Sequence, residues 1–237
     1  MPTVDLVVFD MAGTTIQDDG QVVDAFTSAL TRNGIPVTER DLRPWRGASK
    51  RRVLRVFVEG QFGPDDPQNT ARVERVYAEF REQLERRFTV QAARPIPGAP
   101  DTFVWLRDRG IKVALTTGFY RKVADIILDT LGWRPELIAA SVSSDEVPAG
   151  RPAPYMIFRA METTGVSDVR RVMKVGDTAF DLMAGRNAGL LGVVGVLSGS
   201  QDVEQLGRVQ HTHIIPSVAE LPNLLESEFG RSDAGSA

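Results

Sequence analysis

Four short segments of the 237-residue chain carry side chains that can do chemistry. Asp10 ends the apolar run Val4-Asp5-Leu6-Val7-Val8-Phe9 and opens the small-residue stretch Met11-Ala12-Gly13-Thr14-Thr15. Thr117-Gly118 follow the run Ile111–Thr116, and Gly176-Asp177 follow Arg171–Val175, with Asp181 one helical turn later. Arg151 stands in a loop with Pro148, Gly150, Pro152 and Pro154. Cysteine is absent, and the two histidines, His211 and His213, lie close to the C-terminus. Disulfides, thiolate zinc sites and a cysteine nucleophile are excluded, and most Ser-His-Asp schemes lack material. Carboxylates without imidazole or thiolate suit a hard, oxygen-seeking ion such as Mg²⁺. A hydroxyl, nearby backbone N–H groups and a guanidinium suit phosphate oxygens. The physical reading is a magnesium-assisted phosphoryl-transfer site.

These groups converge only if the elements between them fold one way. Val4–Phe9 reads as a buried strand. From about residue 21 to 90 the pattern is helical: Gln21–Asn33, stopped by Gly34, then a capping box at Thr38 and Asp41. Ser49 is expected to cap a helix starting at Lys50, and Val73, Val76, Tyr77, Phe80, Leu84 and Phe88 recur at helical spacing. After Arg94-Pro95-Ile96-Pro97-Gly98, helices and strands alternate: helix 99–109, strand 111–116, helix 121–131, strand 137–142, helix 155–163, strand 171–175, helix 180–188, strand 191–196, a short helix near 203–206, strand 213–215 and helix 218–226. Such alternation means βαβ units, hence an α/β doubly wound parallel sheet interrupted after its first strand by an all-helical insert. In such sheets sites form at the C-terminal strand ends, where Asp10, Thr117, Gly118 and Asp177 fall. Thr116 reads as a neighbour facing the core, and the two histidines as an exposed strand edge.

Composition bounds the rest. Hydrophobic residues make up 42% and charged residues 25%, enough for a sizeable core. With 28 Lys+Arg against 31 Asp+Glu the net charge is −3, so no global basic field points to nucleic acid or an anionic membrane. No apolar run approaches the length of a membrane span, and the chain starts with a strand-like run rather than a signal peptide, so the expected location is cytoplasmic.

Phe9-Asp10-Met11-Ala12-Gly13-Thr14-Thr15, Leu115-Thr116-Thr117-Gly118, Arg151 in its Pro-rich loop and Val175-Gly176-Asp177-Thr178-Ala179-Phe180-Asp181 resemble the four ordered motifs of the haloacid dehalogenase superfamily. The helical insert is similar to that superfamily's cap. The resemblance implies a Rossmann-like core of residues 1–16 and 94–227, a cap of residues 17–93, and a tail over 228–237 expected to be disordered. It implies that Asp10 is the nucleophile that takes the phosphoryl group. Mg²⁺ would be held by Asp10, the Ala12 carbonyl and Asp177, with Asp181 in support, and the phosphoryl oxygens by Thr117, Gly118 and Arg151. A homodimer through the cap follows by analogy.

One departure narrows the reaction. Phosphatases of this superfamily usually carry a second Asp two positions after the nucleophile, to protonate the leaving oxygen; here that position is Ala12. Losing a general acid removes about 10²–10⁴-fold of rate. Arg151 likewise replaces the usual lysine. Both departures look like the phosphonoacetaldehyde hydrolase branch, which also carries a cap lysine shortly after a glycine, as in Arg46-Gly47-Ala48-Ser49-Lys50. A C–P bond has no leaving oxygen to protonate and needs an electron sink on carbon, which an imine on Lys50 supplies. Its pKa is expected to be lowered by the helix N-terminus and by Arg46, Arg51 and Arg52. Seven basic residues between Arg40 and Arg55 are expected to face the core across the cleft. Where the branch carries Met and His, this chain has Arg46 and Val53, which suits a different 2-oxoalkylphosphonate or a substrate with added negative charge. The alternatives are a small-metabolite phosphatase of the same fold and a binding module with a decayed site.

Overall fold

The computed structural model describes residues 4–229. Strand β1 (Leu6–Asp10) is followed by four helices, α1 (Gln21–Arg32), α2 (Glu39–Leu42), α3 (Lys50–Phe62) and α4 (Asn69–Val90). Next come α5 (Ala99–Asp108), β2 (Lys112–Thr117), α6 (Arg121–Leu131), β3 (Ala140–Ser143) and α7 (Tyr155–Thr164). The chain ends with β4 (Val172–Gly176), α8 (Ala179–Asn187), β5 (Gly192–Val196), α9 (Val203–Gly207), β6 (His213–Ile215) and α10 (Leu221–Leu224).

The six strands form one all-parallel sheet in the order β3-β2-β1-β4-β5-β6. β1 is central and buried along its whole length. Because side chains alternate along a strand, Val7 and Phe9 join one apolar cluster and Leu6 and Val8 the other. This two-sided burial is why the strand reads as an unbroken apolar run. The chain winds outward from β1 through β2 to β3 on one side and returns to β4 on the other side of β1, so a crevice opens at the C-terminal ends of β1 and β4. Asp10 ends β1, in register with Thr116 of β2.

The helical insert packs on the regular helical spacing of its own apolar residues. Val73, Val76, Tyr77, Phe80, Leu84 and Phe88 of α4 are buried, against α1 and α3, with Phe26 of α1 4.4 Å from Phe80 between ring centroids. The chain passes between insert and sheet twice, and the two passages lie side by side. Gln17 donates its backbone N–H to Arg94 O at 2.8 Å, and Ile96 donates to Thr15 O at 2.9 Å. Arg94 also pairs with Asp19 at 2.9 Å. Further out, Tyr120 Oη donates to Glu85 at 2.7 Å, joining α4 to the start of α6.

Several expectations need adjustment. The strand expected over 137–142 is Ala140–Ser143, because Leu137 and Ile138 turn back onto Arg134 O. Thr38 and Asp41 do form a capping box, but Ser49, at the N-cap of α3, makes no side-chain capping bond. The helix expected over 218–226 is broken into a 3₁₀ turn, α10 and a final π turn over Leu225–Phe229, with Pro222, which lacks an N–H, near the break. Glu228 and Phe229 are therefore helical rather than part of the expected tail; residues 230–237 lie outside the described residues. Among the described residues no helix is long and apolar enough to cross a membrane.

Candidate active site

Asp10, Asp177 and Asp181 arrive from two neighbouring strand ends. Asp10 closes β1, Asp177 follows β4, and Asp181 lies in the first turn of α8. All three are buried, and one carboxylate oxygen from each lies within 4.8 Å of the others. Crowding three carboxylates out of water is unfavourable unless cations or donors answer them.

The answer is partly built in. Arg151 Nη1 donates to Asp10 Oδ1 at 2.7 Å and to Asp181 Oδ1 at 2.5 Å. Lys174 Nζ stands 3.0 Å from the same Asp181 oxygen. Thr178 Oγ1 donates to Asp181 Oδ2 at 2.5 Å. Burial works to raise Asp181, but Arg151, Lys174 and Thr178 outweigh it and hold the acid at about 2. Asp177 receives the Ser200 N–H at 2.7 Å, the Ser200 hydroxyl at 2.9 Å and the Thr14 hydroxyl at 3.2 Å. Burial and Asp181 still push Asp177 upward. Burial also raises Asp10, to about 7, despite Arg151. An excess of buried negative charge on an all-oxygen donor set is what a hard divalent cation relieves, so the site fits such an ion.

Glycines make the approach possible. A β-carbon on Gly199 would sit 2.1 Å from Asp177 Oδ2, and one on Gly13 2.5 Å from the same oxygen. Gly13 also has φ +83°, a left-handed conformation that other residues seldom adopt.

The helical insert supplies the opposite wall. Lys50 opens α3 and reaches the tip of β2: its Nζ is 3.3 Å, and Arg151 Nη2 3.2 Å, from where a β-carbon of Gly118 would be. The ammonium also lies 5.7 Å from the Phe119 ring centroid. Burial, then the Arg151 guanidinium, lower Lys50 to about 8, against the pull of Asp10, Asp18 and Asp181. The cause therefore differs from the expected one: Arg151 across the cleft acts, not Arg46, Arg51 and Arg52. Gly47 lets the insert touch the sheet domain, since a β-carbon there would meet Thr178 Oγ1 at 2.6 Å. Ala12, Arg46, Gly47, Lys50, Thr117, Gly118, Arg151 and Asp177 all line one cleft with Asp10. Asp181 lies just behind it. Thr117 is buried, and its Oγ1 accepts the Phe119 N–H at 3.1 Å.

The basic strip divides. Arg46 and Lys50 line the cleft, whereas Arg51 pairs with Glu74 and stacks on Tyr77, 4.2 Å from its centroid. Arg52 and Arg55 are exposed. A helix turns about 100° per residue, so consecutive basic positions cannot share one face.

Lys174 is the principal residue that sequence reasoning missed. It had a signal: a lysine inside the buried strand Val172–Gly176 must find an acid, and Asp181 is seven residues on. Thr178 was also signalled, as the Thr of a Thr-x-x-Asp capping pattern. Ser200 had none, because it arrives from the loop after β5.

Comparison with known proteins agrees with this geometry. Residues 4–189 match the family of haloacid dehalogenase-like hydrolases. A phosphonoacetaldehyde hydrolase of Bacillus cereus is 33% identical over 219 residues, covering 84% of this chain and 78% of its own length. The crystal structure of a phosphonoacetaldehyde hydrolase-like protein from Oleispira antarctica superposes with a TM-score of 0.82 at 25% identity, over 95% of this chain and 92% of that one. A predicted phosphoglycolate phosphatase from Haemophilus somnus shares the fold, with a TM-score of 0.77 at 19% identity over 93% and 97% of the two chains. With its parallel sheet, helical insert and strand-end carboxylates, the chain belongs to the haloacid dehalogenase superfamily of hydrolases, in its phosphonoacetaldehyde hydrolase-like branch.

Proposed function

We propose that this hydrolase breaks the C–P bond of a 2-oxoalkylphosphonate by joining an imine on Lys50 to an aspartyl phosphate on Asp10. The observation that carries the reading is Lys50 itself. Its amine crosses from the helical cap, residues 17–93, to the Gly118 edge of the core, residues 1–16 and 94–227, beside Arg151. With a pKa of about 8, about one Lys50 in ten is neutral at pH 7, against about one in three thousand for an unperturbed lysine. A neutral amine is what attacks a carbonyl.

The residues divide the work. Thr117, Gly118 and Arg151 orient the phosphonate. Asp10, the Ala12 carbonyl and Asp177 would hold Mg²⁺, with Asp181 in support; bound there, the ion offsets the charge between phosphonate and carboxylates. Lys50 condenses with the carbonyl, releasing water. An Asp10 oxygen then attacks phosphorus, and the C–P electron pair moves into the iminium to give an enamine. Protonation at carbon and hydrolysis of the imine release the carbonyl product, and water hydrolyses the aspartyl phosphate. Ala12 fits this route, since the leaving group is carbon and needs no acid at that position.

The test is chemical trapping. Incubation with phosphonoacetaldehyde, Mg²⁺ and borohydride should fix a mass adduct on Lys50. Rapid turnover of p-nitrophenyl phosphate with no adduct, and full activity in Lys50→Arg, would sink the reading in favour of a phosphatase.

A further inference from the structure

Arg46 has no task in that mechanism, yet it lines the same cleft as Lys50 and Asp10. Its one ion pair is a 3.3 Å contact from Nη2 to Glu39, whose side chain is 72% exposed. Such an exposed pair contributes little. Its Nε is shut off from water and has no hydrogen-bond partner. Arg46 also lines an adjoining groove with Glu39, Arg40, Arg43 and Ser200, so three guanidiniums there face one carboxylate. Ser200 is the residue that holds Asp177, which sets this groove against the reacting centre.

The phosphonate already has Thr117, Gly118 and Arg151. A second, weakly committed guanidinium on the cap wall is therefore matched to a second anion on the same substrate. A planar fork of N–H donors suits a carboxylate, which it can bind bidentately.

We propose that the substrate class is a 2-oxoalkylphosphonate bearing a carboxylate on the far side of its carbonyl, bound by Arg46, with Arg43 and Arg40 adding attraction at the approach. The inference rests on the Lys50 imine reading. The simplest member is 3-phosphonopyruvate. Its ketone condenses with Lys50 with loss of water, Asp10 takes the phosphoryl group, and the C–P pair becomes the enamine. One proton at carbon and one water at the imine then release pyruvate, and a second water releases phosphate. One water is consumed net, and nothing is oxidised or reduced.

The experiment compares 3-phosphonopyruvate with phosphonoacetaldehyde on the full chain with Mg²⁺, reading phosphate release and the borohydride adduct on Lys50. The wild type should favour the carboxylate substrate in kcat/KM by about 10-fold or more, as a charged pairing allows. Arg46→Met should cut that preference about 10-fold or more, mainly through KM, and Arg46→Lys should retain part of it. Arg43→Gln, on an exposed side chain, should reduce the preference severalfold. An unchanged substrate ratio in all three variants, with the phosphonoacetaldehyde adduct still forming on Lys50, overturns this inference and leaves the imine reading intact. No adduct from either compound overturns both.

Discussion

The two walls of the cleft are built on different terms. On the core wall Asp10, Asp177, Asp181, Arg151 and Lys174 are buried and fixed by neighbours: Arg151 bridges Asp10 and Asp181, Lys174 backs Asp181, and Ser200 and Thr14 hold Asp177. On the cap wall no hydrogen bond among the described residues fixes the Lys50 amine, and Arg46 rests on one exposed glutamate. Groups that must be aimed before the substrate arrives are locked by neighbours, because preorganised charge stabilises a transition state without reorganising. The two cap-wall groups are held more loosely, so a substrate meeting the Lys50 amine or the Arg46 guanidinium would displace little. On the proposed reading the core wall is held ready for phosphoryl transfer, while the cap wall brings a more loosely held amine and guanidinium to the rest of the substrate.

The sharpest way to break this contrast is to remove chemistry from each wall in turn. On the proposed mechanism Asp10→Asn should lower phosphate release by about 10⁴-fold or more. Lys50→Arg should abolish the borohydride adduct and lower C–P cleavage by about 10³-fold or more while leaving phosphate-site binding in place, measured with an inorganic phosphate titration. Removing Lys174 tests whether the core wall is as closed as it looks. Lys174→Met leaves Asp181 with one cation fewer in a buried site, and breaking a buried pair from one side costs about 3–5 kcal/mol. Urea unfolding should show that loss, and an equal stability of variant and wild type would mean that Asp181 is satisfied without it.

The titrations of the two walls should run in opposite senses. The folded protein holds Lys50 below its unfolded pKa of 10.5, so trapping at Lys50 should rise about 10-fold for each pH unit up to about 8 and then level off. Asp10 is held above its unfolded value of 3.8, so without metal the folded state binds the extra proton between pH 4 and about 7, and its stability falls across that window. Mg²⁺ should therefore raise the melting temperature more at pH 8 than at pH 5. The smallest effect belongs outside both walls: Arg55→Gln, on the exposed face of α3, should change stability and turnover by less than about 0.5 kcal/mol.

Much of this was legible in the residues. The alternating apolar runs and the Gly and Pro breaks located the sheet and the insert, since local periodicity is a property of neighbours in sequence. The strand-end rule placed Asp10, Asp177, Thr117 and Gly118 on one edge. Illegible were the facts set by rotation and long-range approach. Spacing alone did not show that Arg51, Arg52 and Arg55 turn away from the cleft while Arg46 and Lys50 face it. Nor did it show that Arg151, more than a hundred residues on, would be the charge acting on Lys50. Ser200 reached Asp177 through a loop with no pattern of its own.

The paired passages between core and cap set how the two walls can move. Gln17 bonds to Arg94 and Ile96 to Thr15, so the outgoing and returning chains are a laced strip rather than two separate tethers. Two independent tethers would permit twist and slide as well as swing. A laced strip resists both and leaves flexing across its width as the soft coordinate. A cap swinging about this strip would carry Lys50 and Arg46 together relative to Asp10, so that on the proposed reading binding the far end of a substrate and presenting the amine to its carbonyl would be a single mechanical event.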